Sequence, residues 1–140
     1  MKQIPVIFWT GNGNTQMIAD AVAEAINAAG AEAVVKNVSE ITADEAAGYD
    51  ALALGCPAMG AEVLEECEFE PFFTELEGKL SGKKVALFGS YGWGGSYMQD
   101  WEARVKDAGA TLVADGVLAL GAPDDEAMAK LAEAGKLLAE

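Results

Sequence analysis

The sequence predicts an α/β protein in which a five-stranded parallel sheet is covered by helices on both faces. Short apolar runs alternate along the chain with segments whose apolar residues recur every three or four positions. The first pattern is typical of buried strands and the second of amphipathic helices, and their alternation favours a parallel sheet. A chain of 140 residues suits one core, so we expect a single domain over residues 1–140.

The first half of the chain contains three of the predicted strands. Residues 4–9 form the first, although Pro5 fits only near a strand's start because proline has no N–H to donate. A helix that stops at Gly30 follows, and its apolar positions are Met17, Ile18, Ala21, Val22, Ala25, Ile26 and Ala29. Residues 33–38 predict a short strand and residues 43–48 a short helix. The segment DALALGCP predicts a buried strand that ends at Pro57.

The second half supplies the remaining strands. A helix is predicted over residues 70–80, with Pro71 in its first turn, where no N–H is required. The clearest strand is KKVALFGSYGWGG, which runs into a glycine-rich loop, and residues 98–108 predict a helix that closes at Gly109. The segment ATLVADGVLAL predicts a strand interrupted at Gly116. One face of the final helix, from Asp124 onward, is expected to carry Met128, Leu131, Gly135 and Leu138.

Composition excludes several classes of function. The chain has no histidine and two cysteines, Cys56 and Cys67, that do not form a CxxC pair, which argues against most zinc and iron sites and against a His-dependent triad. A net charge of −14 argues against nucleic acid and anionic membranes as partners and favours a basic protein. The apolar runs are too short to span a bilayer, and no signal peptide is evident, so we expect a cytoplasmic protein.

Three loops with unusual residues each follow a predicted strand: residues 10–15, 56–62 and 90–97. In parallel sheets, ligands bind beyond the carboxyl ends of the strands, so one shared site is expected there. In TGNGNT, the glycines let backbone N–H groups converge on an anion at the start of a helix. The chain has no Lys or Arg between Lys2 and Lys36, so no cationic side chain of this segment would contribute. The motif lacks the lysine of a nucleoside-triphosphate loop and the third glycine of a dinucleotide fingerprint. A single phosphate monoester is favoured over a capped turn without a ligand.

The second and third loops, GCPAMGAE and GSYGWGGSY, place Met59 and Trp93 beside this phosphate site. Met and Trp are usually core residues. From two loops at one edge, however, we expect them to form the walls of a slot for a flat ring, with Glu62 placed to accept a bond from the edge of that ring. A flat ring with one phosphate indicates flavin mononucleotide (FMN).

Four segments resemble the short-chain flavodoxins: WTGNGNT, LGCPAMGAE, EPFFTEL and GKKVALFGSYGWGGSYMQDW. The resemblance extends in register over nearly the whole chain, with Asn12 and Ala61 departing from the residues common in the family. It implies a flavodoxin-like three-layer sandwich with strand order 2-1-3-4-5 and one non-covalent FMN. It also implies a low-potential one-electron carrier that works through a stabilised semiquinone.

By this resemblance, the FMN contacts come from all three loops. The first contributes Thr10, Gly11, Asn12, Gly13, Asn14 and Thr15, which hold the phosphate together with Ser90. The second contributes Pro57, Ala58, Met59, Gly60, Ala61 and Glu62, and the third Ser90, Tyr91, Gly92, Trp93 and Gly94. Met59 and Trp93 cover the two faces of the flavin. Glu62 meets its N3 edge, and the Gly60 carbonyl contacts N5 once N5 is protonated.

The expected partners are redox proteins, such as a flavodoxin or ferredoxin reductase or low-potential oxidoreductases, and we expect a monomer. Seven acids lie close to the second loop, Glu62, Glu65, Glu66, Glu68, Glu70, Glu75 and Glu77, and they form either a docking surface or only a solvated helix face. A nicotinamide-dependent quinone reductase is the alternative function. It would need a substrate pocket and usually added loops. The predicted elements of the minimal fold account for this sequence, which also has no histidine for proton transfer. The sequence favours the carrier.

Overall fold

The computed structural model of the chain describes residues 3–9, 14–56, 68–91, 97–114, 116–120 and 125–139. The strands are β1 (Gln3–Phe8), β2 (Glu32–Asn37), β3 (Ala51–Gly55), β4 (Lys84–Tyr91), β5 (Thr111–Leu112) and β6 (Val117–Leu120). The helices are α1 (Asn14–Ala28), α2 (Ala43–Ala46), α3 (Phe69–Glu77), α4 (Tyr97–Asp107) and α5 (Asp125–Ala139), with a 3-10 turn at Val38–Glu40. Strands and helices alternate as the sequence predicts.

The sheet is parallel, and its hydrogen-bonded order is β2-β1-β3-β4-β5, with β6 also paired with β4. β5 pairs with the start of β4 and β6 with its end, so together they are one interrupted fifth strand. The Gly116 N–H donates to the Glu102 carboxylate of α4 at 2.6 Å, and a side chain at Gly116 would overlap Met98. The predicted order 2-1-3-4-5 and the interruption at Gly116 are both confirmed.

Helices cover both faces of this sheet because the strand residues alternate between two cores. On one face, α1 and α5 pack on the sheet, and the largest buried side chains there are Ile4, Phe8, Ile18, Ile26, Phe88, Leu131 and Leu138. On the other face, α2, α3 and α4 pack on Ile7, Leu52, Leu54, Val85 and Leu87. A Cβ built on Gly135 of α5 would lie 2.7 Å from the Ala25 Cβ of α1, so a glycine is required where these helices meet.

Pro5 lies inside a central strand without breaking the sheet. The Trp9 N–H donates to the Gly55 carbonyl of β3 at 3.0 Å, and backbone N–H groups alternate between the two sides of a strand. The nitrogen of Pro5 therefore faces β3. Pairing between β1 and β3 begins only at Val6, so the bond that Pro5 cannot donate lies at the end of that pairing and not in its middle.

Two residues of the predicted apolar helix faces, Met17 and Met128, do not lie in the core. Leu131, Gly135 and Leu138 are buried as expected, but Met128 is 42% exposed, and Met17 at the start of α1 is 44% exposed. Both methionines fit the helical spacing but lie in the first turns of α1 and α5. Thr15 and Ala127 in the same first turns are buried, so the two methionines lie beside the buried stripe and not beyond its end. Periodicity identified the helices correctly and overestimated the width of their buried faces.

Candidate functional site

Three strands that precede the predicted loops are neighbours in the sheet. β1, β3 and β4 lie side by side and run in the same direction, so their carboxyl ends share one edge. β1 ends at Phe8 and β3 at Gly55, while β4 continues to Tyr91. The chain therefore enters all three predicted loops from adjacent positions, which is the arrangement that a single ligand site requires.

Most of the predicted site residues lie in segments outside the described residues. In the first loop these are Thr10, Gly11, Asn12 and Gly13. In the second loop they are all six predicted residues, Pro57, Ala58, Met59, Gly60, Ala61 and Glu62. In the third loop they are Gly92, Trp93 and Gly94. Asn14 and Thr15 are the first two residues of α1, and Ser90 and Tyr91 are the last two of β4. These four residues are thus at the shared edge of the sheet.

The start of α1 has the chemistry that a phosphate needs. The helix begins at Asn14, and no acidic residue lies in its first turn. The Thr15 side chain is completely buried. A helix start offers unpaired backbone N–H groups and the positive end of the helix dipole, which attract an anion without a cationic side chain. An uncharged helix start beside the end of β1 therefore fits the phosphate of FMN.

The ends of β3 and β4 are held together beside this helix start. The Cys56 N–H donates to the Phe88 carbonyl at 3.2 Å, and the Cys56 side chain is buried. On the other side of β4, Ser90 and Tyr91 pair with Ala119 and Leu120 of β6. The entry to the second loop and the entry to the third loop are thus fixed by sheet hydrogen bonds.

The acidic run, meaning the seven glutamates from Glu62 to Glu77, does not form one uniform solvated surface. Glu62, Glu65 and Glu66 lie outside the described residues, and Glu75 is exposed. Glu68 accepts a hydrogen bond from the Trp9 indole N–H at 3.3 Å, which links the end of β1 to the start of α3. The described part of the run therefore includes a side chain that makes a structural contact as well as a solvated one.

Glu70 and Glu77 are paired with a single cation, Arg104 of α4. Arg104 forms two bonds to Glu70, at 2.7 and 2.9 Å, and two to Glu77, both at 3.2 Å. Its hydrogen bonds to Glu70 lower the pKa of that carboxyl, although partial burial opposes them, and the same bonds raise the pKa of Arg104. Sequence reasoning missed this group, because Arg104 lies 34 residues from Glu70 and no local spacing connects them.

A surface depression of about 420 Å³ between α1 and α5 does not belong to this site. It is lined by Ala25, Ala28, Ala29, Ala132, Lys136 and Ala139. These residues lie toward the carboxyl ends of both helices, whereas the candidate site is at the beginning of α1. Apart from Lys136, its lining consists of alanines, which offer no polar side chain to orient a ligand.

Within the described ranges, no group of His, Cys, Asp and Glu is arranged to hold a metal ion. None of the helices found in those ranges has the length and apolar character needed to cross a membrane.

Comparison with known proteins gives consistent matches. The family model described as "Flavodoxin" matches residues 6–135. The flavodoxin of Clostridium beijerinckii is 47% identical over 135 residues, covering 96% of this chain and 97% of that protein. The flavodoxin of Megasphaera elsdenii is 45% identical over 116 residues, covering 82% and 85%. The solution structure of two-electron reduced Megasphaera elsdenii flavodoxin matches with a TM-score of 0.89 at 42% identity, covering 97% of this chain and 98% of that one.

Proposed function

This chain belongs to the flavodoxin family, and we propose that it carries single electrons at low potential between redox enzymes, on one FMN held at the shared edge of β1, β3 and β4. Flavodoxins are FMN-binding electron carriers and not enzymes. FMN is therefore the cofactor, and other redox proteins are the partners. The expectations of family, cofactor and carrier function are confirmed.

One observation of the structure carries the proposed placement of FMN. The three strands that lead into the predicted loops are adjacent, and α1 begins at the same edge with an uncharged first turn and a buried Thr15. A phosphate at this helix start leaves the ring system to extend toward the ends of β3 and β4. The second and third loops leave the sheet at those ends.

In this proposal, residues 10–15 and Ser90 hold the phosphate, while residues 57–62 and 90–94 surround the flavin. Met59 and Trp93 exclude water from its two faces, and Glu62 accepts a hydrogen bond at the pyrimidine edge. When bound, FMN supplies the one-electron chemistry. Gly60 tolerates the backbone angles at which its own carbonyl, in the Gly60–Ala61 peptide, would face the flavin. There it would accept a hydrogen bond from a protonated N5.

The partners and the cellular setting are also part of the proposal. The net charge of −14 supports association with basic docking faces on a flavodoxin or ferredoxin reductase, or on low-potential oxidoreductases. The acids of residues 62–77 that are not bound within the protein supply the docking charge. The protein works as a cytoplasmic monomer.

The first test is the identity and behaviour of the flavin. The purified protein should hold one equivalent of FMN, measured by acid release and chromatography, because residues 10–15 and Ser90 suit a single phosphate. Anaerobic dithionite titration should show two separate one-electron steps. Recovery of FAD would contradict the site, and rapid oxidation of NADH or NADPH without a reductase would contradict the carrier function.

A further inference from the structure

Consecutive residues at the start of α3, Glu68, Phe69 and Glu70, contact three different side chains of neighbouring elements. Glu68 accepts the hydrogen bond from the indole N–H of Trp9, the residue directly after β1. Glu68 occupies the N-cap position of α3 but makes no side-chain capping bond there. Its side chain therefore reaches back to the end of β1 and makes no capping bond to its own helix.

Phe69 provides the second contact. Its side chain is completely buried, and its ring meets the Trp101 ring of α4 edge-on, with centroids 5.4 Å apart at 89°. Edge-to-face packing of two buried aromatic rings fixes their relative orientation as well as their separation. The start of α3 is thus fixed against the side of α4 that faces the core.

Glu70 provides the third contact, on the outer side of α4. Its carboxylate binds the Arg104 guanidinium through two bonds, and the Thr74 hydroxyl donates to it at 2.6 Å. Arg104 also lies over the Phe73 ring, 4.7 Å from its centroid. A two-pronged bond between carboxylate and guanidinium sets direction as well as distance, so it resists rotation of α3 against α4.

We propose that residues 68–70, the α3 anchor, position the second loop against the flavin and thereby set FMN affinity and the first reduction potential. Residues 57–67 connect Cys56, which is fixed to β4, with this anchor. The second loop is thus tied at its far end to β1, the strand that leads into the phosphate loop, and to α4, the helix that follows the third loop. Glu68, Glu70, Trp9 and Arg104 are positioning residues, and the inference depends on the FMN site proposed above.

The acids could act by anchoring the second loop or only by their charge. The two roles predict opposite changes in the first reduction potential when an acid is removed. A carboxylate that acts only by its charge opposes electron entry, so its removal should make reduction easier. Loss of an anchoring contact should let the second loop move away from the flavin. The first electron should then be harder to add, and FMN should bind more weakly.

The decisive comparison is Glu68→Ala against Glu68→Gln. Both remove the charge, but glutamine keeps an oxygen that can accept from Trp9. For Glu68→Ala we expect about tenfold weaker binding of oxidised FMN and about a hundredfold weaker binding of FMN that carries one electron. The tenfold difference between the two losses lowers the first potential by about 59 mV. Glu68→Gln should stay close to the unaltered protein. Glu70→Ala should behave like Glu68→Ala, and Glu75→Ala is the matched control because Glu75 is an exposed acid on the same helix.

FMN dissociation constants and potentials should be measured beside urea unfolding of each apoprotein. Equal effects of Glu68→Ala and Glu68→Gln would overturn the anchor in favour of charge alone. Reduced apoprotein stability with unchanged FMN affinity and potential would overturn it in favour of simple helix packing. If Glu70→Ala does not fold, the comparison of Glu68→Ala with Glu68→Gln is sufficient to test the proposal. An unaltered protein that binds no FMN would instead disprove the proposed function.

Discussion

Gly55, the last residue of β3, shows how one missing side chain shapes the edge of the site. Gly55 pairs with Phe88 of β4, and a Cβ at Gly55 would overlap the Phe88 ring. Phe88 is buried in the close-packed core, so moving its ring would displace neighbouring side chains. Gly55→Ala should therefore lower the free energy of unfolding by about 1–3 kcal/mol through overpacking, measured by urea denaturation of the apoprotein.

Gly78 is the matched control for this substitution. It ends α3 with an ordinary helical φ of −73°, and a Cβ there would meet nothing within 4 Å. Gly78→Ala should leave stability unchanged or raise it by about 0.4–1 kcal/mol, because alanine restricts the unfolded chain. Equal destabilisation by both substitutions would mean that the loss of glycine, and not the Phe88 contact, limits stability.

Individual residues also show what the sequence could predict. Gly116 was recognisable because a glycine interrupts an otherwise apolar strand, and the structure shows the interruption there. Met17 and Met128 were grouped with the apolar faces of their helices because both fit the helical spacing. Spacing does not mark the edges of the stripe that the sheet covers: Thr15 and Ala127 in the same first turns are buried, whereas both methionines are exposed.

The pairing of α3 with α4 could not be predicted, because it depends on contacts between distant parts of the chain. The acids of α3 were evident in the sequence, but their division into paired and solvated groups depends on Arg104. The helices themselves were predicted within a few residues: residues 70–80 against Phe69–Glu77, and residues 98–108 against Tyr97–Asp107. Local patterns define an element, whereas tertiary packing determines which of its charges remain available.

The Glu70–Arg104 ion pair should make stability depend on pH. The pKa of Glu70 is lowered in the folded protein by its bonds to Arg104, so folding favours the ionised carboxylate. This stabilisation is fully present above the unfolded pKa of about 4.3 and is lost as the pH falls through the lower folded pKa. Because Glu70 is 33% exposed, we expect less than about 1 kcal/mol after solvent screening.

Urea unfolding of the unaltered apoprotein and Glu70→Gln across a pH series tests this expectation. The stability difference between the two should be largest near neutral pH and should shrink below about pH 4.3. Glu75→Gln provides the control for the general effect of removing one negative charge. A stability difference that stays constant from neutral to acidic pH would contradict a contribution from the ion pair.

Across the whole protein, the sequence predicted the fold more completely than the site. Alternation of apolar runs and helical spacing gave the parallel sheet, and the family resemblance gave its order. The site was inferred from loops that follow strands, and the structure places the ends of β1, β3 and β4 side by side. Contacts between the loop side chains and FMN remain a prediction, because a strand pattern locates the edge of a sheet and not the conformation of the loops beyond it.

The distribution of charge over the protein leads to the final prediction. Glu68, Glu70 and Glu77 are hydrogen-bonded within the protein, so substituting them would disturb its structure as well as its charge. Glu65, Glu66 and Glu75 are the better test of docking. Their joint replacement by Gln should slow electron transfer with a basic partner and flatten its salt dependence, because steering acts over a Debye length of about 8 Å at physiological ionic strength.

A second triple variant separates local docking from net charge. Glu24, Glu32 and Glu133 are exposed acids on α1, β2 and α5, and their replacement by Gln changes the net charge by the same amount. Stopped-flow transfer with a flavodoxin reductase, measured over a range of salt concentrations, should show the larger loss of rate and of salt slope for the Glu65, Glu66 and Glu75 variant. FMN content should be equal in both. Equal losses in the two triples would mean that total charge attracts the partner, and the proposed docking surface would be wrong.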